Sequence, residues 1–141
     1  PDVGFRAAFN PAMIRSVDDI KANIDSGGAQ VLDARSAGRF AGIDPEPRPE
    51  CRSGHIPGSL NLPFNTLIDP DTATIRPGTD LTVRLTGSGI DPDRPVITTC
   101  GSGVTACVLA LAMHLTGKDD VAIYDGSWTE WGSRTDTPVE T

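Results

Sequence analysis

Three short apolar runs, AQVLDA (29–34), PVITTC (95–100) and VAIYD (121–125), are each separated from the next by segments with helix signals. Each run has the length of a buried strand. Strands alternating with helices predict an α/β domain with a mainly parallel central sheet flanked by helices. The 141 residues suffice for one domain that buries its own core.

The segments between the runs support this division. Ser16 precedes VDDIKANI and can cap a helix, Asp18 and Asp19 suit its positive end, and Gly27-Gly28 ends it. Residues 1–16, rich in Pro, Ala and Asn, read as a connecting segment on the surface, leaving 17–141 as the domain proper. AGIDPEPRPECRSG (41–54) carries three prolines and reads as loop. A brief strand is expected near 59–62, before Pro63. TDLTVRLTGSG (79–89) is a helix candidate whose threonines and terminal glycines weaken the signal. Thr105 to Leu115 reads as helix closed near Gly117, and GSWTEWG (126–132) as a final helical turn.

Composition narrows the function classes. The net charge of −7 argues against nucleic acid or an anionic membrane as partner. No run of 18 apolar residues exists, and PDVGFRAAFNP lacks the basic-then-apolar layout of a signal peptide. Three cysteines are too few for a disulfide scaffold and point to the reducing cytoplasm. No His/Cys cluster has metal spacing, so neither a metal nor another cofactor is expected. The chain starts at Pro1 rather than Met, as a fragment or a processed product would.

The stretch TTCGSGVTAC (98–107) places Cys100 where a strand ends, before small residues and the apolar helix body VLALAMHL. In parallel α/β sheets, ligands bind beyond the carboxyl ends of the strands. Gly101, Ser102, Gly103, Val104 and Thr105 carry little bulk, so their backbone N–H groups can turn inward and cup an anion. The positive end of the following helix adds to that cup. The position favours an anionic sulfur species, a thiolate or a bound persulfide. The competing reading is a buried structural cysteine with a tight turn after it.

Taken together, VLDARSAGRF (31–40), RSGHIPGSLNLPF (52–64), PVITTCGSGVTAC (95–107) and YDGSWTEWG (124–132) resemble the rhodanese superfamily in order and spacing. The resemblance runs from about residue 8 to the end. The loop CGSGVT is similar to that of the 3-mercaptopyruvate sulfurtransferases, and the whole to their C-terminal, catalytic half. Thiosulfate sulfurtransferases of the two-domain type typically carry a Cys-Arg-Lys-Gly pattern instead.

The resemblance implies ping-pong sulfur transfer. Cys100 would take sulfur from 3-mercaptopyruvate as a persulfide, release pyruvate, and pass the sulfur to a thioredoxin-like dithiol, a small thiol or cyanide. It implies Arg39 and Arg48 as substrate-binding residues, and Arg is the side chain whose planar fork meets a carboxylate bidentately. Gly101, Gly103, Val104 and Thr105 would complete the substrate cup. Ser102 would assist proton transfer with a histidine and an aspartate from an N-terminal rhodanese-like half. Other residues read as structural: Arg35, His55 before the 59–62 strand, His114, and Asp33 at a strand end. Trp128 and Trp131 read as core, with Trp128 able to wall the pocket. Cys107 lies two helical turns beyond Cys100, too far for an easy disulfide, and Cys51 is expected in an exposed loop.

Three rivals follow from the same fold. Thiosulfate sulfurtransfer is the nearest. A non-catalytic rhodanese-like binding module would lack the cysteine, which is present here. The related phosphatases and arsenate reductases need an arginine at the end of a longer loop. Here Ala106 follows Thr105, and no Arg or Lys lies between Cys100 and Lys118. Phosphoryl transfer would lack its charge partner.

Overall fold

The computed structural model describes Gly4 and residues 6–141. The first residues of the expected connecting segment, 1–3 and 5, lie outside that description. Five strands form one all-parallel sheet: β1 (Ile14–Arg15), β2 (Gln30–Asp33), β3 (Leu60–Asn61), β4 (Val96–Thr99) and β5 (Val121–Tyr124), in the order β1-β5-β4-β2-β3. Five α-helices cross between or follow them: α1 (Val17–Ser26), α2 (Ala37–Phe40), α3 (Gly78–Gly87), α4 (Ala106–Leu115) and α5 (Ser127–Ser133).

Local chemistry explains most boundaries. Ser16 and Asp19 form a capping box at α1, the Ser16 hydroxyl accepting the Asp19 N–H while the Asp19 carboxylate accepts the Ser16 N–H. Gly27 ends that helix in the left-handed region. The helix α3 forms despite its threonines, and Thr82 and Thr86 return their hydroxyls to carbonyls four residues earlier. Two elements depart from expectation. Ile14–Arg15, inside the segment read as a connection, pairs with β5 as an edge strand. The four-residue helix α2, capped by Ser36, is too short to show periodicity.

Alternation along the strands feeds two cores. Leu32 and Val96 join Leu81, Leu85, Leu109 and Met113 on the face covered by α3 and α4. Val31 and Ile97 join Ile20, Tyr124, Trp128 and Trp131 on the face covered by α1 and α5. The parallel sheet thus has both faces covered, which explains near-continuous apolar strands. The carboxyl ends of β2 and β4, side by side in the sheet, present Asp33 and Cys100 at one rim.

Candidate active site

Cys100 follows β4 directly and is 1% exposed. Its Sγ accepts the Gly103 N–H at 3.1 Å, the one inward-turned donor of the expected cup that closes on the sulfur. Gly103 makes this possible. Its φ is +86°, and a Cβ there would meet the Asp125 carbonyl oxygen at 2.9 Å. The cup ends at Thr105, the N-cap of α4, which starts at Ala106 rather than Thr105. Val104 is 73% exposed on its outer side.

The loop is fastened to α5 by hydrogen bonds to its backbone. The Trp128 N–H donates to the Cys100 carbonyl at 2.9 Å, and Thr129 donates both its N–H (2.9 Å) and its hydroxyl (2.6 Å) to the Gly101 carbonyl. Buried Ser127 accepts the Cys100 N–H at 3.2 Å and itself donates to the Tyr124 carbonyl at 2.8 Å. Ser127 holds a positive φ of 49° to do so. Neither Ser127 nor Thr129 stands out in the sequence as a site residue. Their only signal was the turn GSWT directly after β5.

Beside the loop opens a cleft of about 260 Å³, lined by Arg39, Glu46, Arg48, Cys51, Gly101 and Ser102 among others. A larger cavity of about 430 Å³ lies at the far end of α4, around Leu85, Ile90 and Met113. It contains no cysteine or histidine, so size does not locate the chemistry. Both expected arginines reach the small cleft. Arg48 is exposed and donates through Nη1 to the Thr129 hydroxyl. Ser102 is exposed at the cleft mouth.

Arg39 is less free than expected. Its Nε and Nη2 are bound by Glu46 at 3.2 and 2.6 Å, so one edge of the guanidinium fork is already occupied. Glu46 also pairs with Arg35 at 2.9 Å, and Arg35 pairs with Asp33 at 2.7 Å. Arg35 further donates to the Gly54 carbonyl and lies over the Trp128 ring, 4.3 Å from its centroid. The hydrogen bonds that Arg39 donates to the Glu46 carboxylate hold its pKa above the ordinary guanidinium value. Glu46 was not singled out in the sequence, where it is one acid in a proline-rich loop.

The remaining residues fall outside the chemistry, with one correction. His55 stacks on Phe40 at 3.8 Å, and its Nδ1–H donates to the Phe40 carbonyl. His114 sits on the surface against Asp119. Trp128 is buried core. Cys51, expected to be exposed, is half-buried in the cleft wall because its loop folds back on α5, with Sγ near the Trp128 and Thr129 carbonyls. Burial, with Glu50 and Glu46 nearby, pushes the Cys51 thiol pKa up. Among the described residues no group of three or more His, Cys, Asp or Glu is arranged to hold a metal ion, and no helix is long and apolar enough to cross a membrane.

Residues 16–134 match the family model described as the rhodanese-like domain. The chain is 45% identical over 130 residues to human 3-mercaptopyruvate sulfurtransferase, covering 92% of this chain and 43% of that protein. It is also 45% identical over 138 residues to thiosulfate/3-mercaptopyruvate sulfurtransferase 1, mitochondrial, of Arabidopsis thaliana, covering 98% of this chain and 36% of that protein. The crystal structure of SseA from Escherichia coli superimposes with a TM-score of 0.74 at 38% identity, over 89% of this chain and 45% of that one. The chain spans less than half the length of these relatives. A family model matched over residues 16–134 and relatives 45% identical over nearly the whole chain show that the chain belongs to the rhodanese-like domain family.

Proposed function

We propose that this chain is the C-terminal, sulfur-accepting half of a 3-mercaptopyruvate sulfurtransferase. The observation that carries the reading is the Gly103 N–H bound to the Cys100 Sγ beside a cleft that two arginines enter. A backbone donor fixed on the sulfur stabilises an anionic thiolate or persulfide without a charged neighbour in the loop.

The reaction has two half-steps. The Cys100 thiolate attacks the sulfur of 3-mercaptopyruvate. The carbon–sulfur bond breaks, its electron pair leaves as the enolate of pyruvate, and the enolate takes a proton. Arg39 and Arg48 hold the substrate carboxylate, and Ser102 at the cleft mouth serves the proton transfer. The thiolate of an acceptor, thioredoxin-like or a small thiol, then attacks the outer sulfur of the Cys100 persulfide and regenerates the Cys100 thiolate. Thiosulfate is a second donor to consider, because the Arabidopsis relative is named for both.

A second rhodanese-like domain completes the enzyme in this reading. The relatives are more than twice as long as the matched segment, and the cleft wall made by Ser102 and Arg48 is open to solvent. Closing it would exclude water from the enolate. The unpaired thiols Cys51, Cys100 and Cys107 suit a reducing compartment such as the cytoplasm. The test is pyruvate release with 3-mercaptopyruvate and cyanide, with and without an N-terminal rhodanese-like half added in trans. The reading predicts turnover that the added half raises. Absence of pyruvate in both arrangements would refute it.

A further inference from the structure

The cleft beside Cys100 ends a chain of alternating charges. Asp33 pairs with Arg35 at 2.7 Å, Arg35 with Glu46 at 2.9 Å, and Glu46 with Arg39 at 2.6 Å. The Asp33, Arg35 and Glu46 side chains are 1%, 1% and 4% exposed, while that of Arg39 is 26% exposed. Glu46 is therefore a buried carboxylate at the edge of a cleft built for anions. Asp33 offsets Arg35, and Glu46 offsets Arg39. Among the charged residues lining the cleft, Arg48 is the one whose charge no carboxylate cancels.

Glu46 also decides which edge of Arg39 is available. It binds Nε and Nη2, leaving the edge formed by Nη1 and the second N–H of Nη2. That edge lies against the catalytic loop. A Cβ on Gly101 would stand 3.2 Å from Nη2 and 3.8 Å from Nη1. The absence of a side chain at position 101 is what allows the approach. A planar carboxylate can still be met by this free edge. A compact dianion meets a cleft with little cationic surplus, where Coulomb attraction grows with the charge on both partners.

We propose that Glu46 sets donor specificity, turning one edge of Arg39 toward the Cys100 loop and cancelling its charge, so that the site takes a monoanionic carboxylate donor over a dianion such as thiosulfate. The proposal rests on the reading of Cys100 as the sulfur acceptor. Glu46 is a positioning residue, since it acts through Arg39.

The test compares donors in Glu46→Gln, which keeps the volume and one acceptor oxygen while Arg35 keeps its pairing with Asp33. The ratio of kcat/KM for thiosulfate to that for 3-mercaptopyruvate should rise about tenfold or more, and thiosulfate turnover should become more sensitive to salt. Glu46→Asp, which retains the charge, should leave the ratio close to wild type. A folded Glu46→Gln variant that loses both activities in equal proportion would overturn the proposal and leave Glu46 structural. Loss of a buried carboxylate can unfold the chain, so the wild type supplies an independent measurement. Calorimetric titration with pyruvate and with inorganic sulfate should show pyruvate binding at least as tightly. Sulfate binding about tenfold tighter than pyruvate would overturn the proposal, because charge would then dominate selection. These titrations need no turnover. A wild type that forms no Cys100 persulfide would refute the sulfur-transfer reading, while the binding data would still decide the charge selection.

Discussion

The two walls of the cleft are built by different physics. The Cys100 wall is held by neutral hydrogen bonds to its backbone, donated by Trp128 and Thr129 and accepted by the Ser127 hydroxyl, and by one left-handed glycine. The Arg39 wall is held by side-chain ion pairs through Asp33, Arg35 and Glu46. Backbone bonds fix a nucleophile without adding charge to it. Ion pairs fix a charge and at the same time limit it. In the proposed reading, one wall sets where sulfur is received and the other selects the anion that brings it.

The difference predicts graded consequences. Cys100→Ser should abolish sulfur transfer, since a serine oxygen cannot hold sulfane sulfur as a persulfide. Residual pyruvate release near wild type would show that the backbone wall is not the chemical one. Arg39→Ala should lower kcat/KM for 3-mercaptopyruvate by about 10- to 150-fold, the equivalent of roughly 1.5–3 kcal/mol for a lost charged hydrogen-bond pair. It also leaves Glu46 facing the incoming carboxylate. Arg39→Lys should recover only part of this loss, because the fork is gone. Steady-state kinetics showing no change in Arg39→Ala would take this residue out of the site.

Gly103→Ala tests the backbone wall without touching a charge. The left-handed conformation costs a side-chain-bearing residue about 1–3 kcal/mol, and the new Cβ would press on the Asp125 carbonyl oxygen at 2.9 Å. Thermal denaturation should show a lower midpoint, and sulfur transfer should fall with kcat more than with KM. A variant as stable and active as wild type would mean the loop does not need this geometry. The smallest effect is expected at Cys51→Ser. Cys51 shares the cleft, but its thiol is pushed toward the protonated form and makes only long contacts to carbonyls. Activity should change little, and a large loss would move Cys51 from the wall into the chemistry.

The backbone wall was readable in the sequence and the ion-pair wall was not. PVITTCGSGVTAC shows a strand end, small residues and a helix start in consecutive order, so the position of Cys100 follows from local pattern. The same holds for the capping box at Ser16 and for the strands β2, β4 and β5. Glu46 acquires its place only when the 41–54 loop folds back beneath Arg35 and Arg39, and nothing local marks it among neighbouring acids. Ser127 likewise matters because β5 and β4 are adjacent, a tertiary fact. The strand β1 and the helix α2 are too short for any period to show. Cys51 looked exposed because a proline-rich polar loop usually is, but this one packs against α5.

The central claim is that Cys100, and no other thiol, receives sulfur from 3-mercaptopyruvate. Peptide mass spectrometry of the protein incubated with 3-mercaptopyruvate and no acceptor tests it directly. An increment of about 32 Da is expected on the Cys100 peptide, the persulfide, appearing in step with one pyruvate per chain and vanishing when a thiol acceptor is added. Pyruvate released with Cys100 unmodified, or the increment found on Cys51 or Cys107 instead, would contradict it.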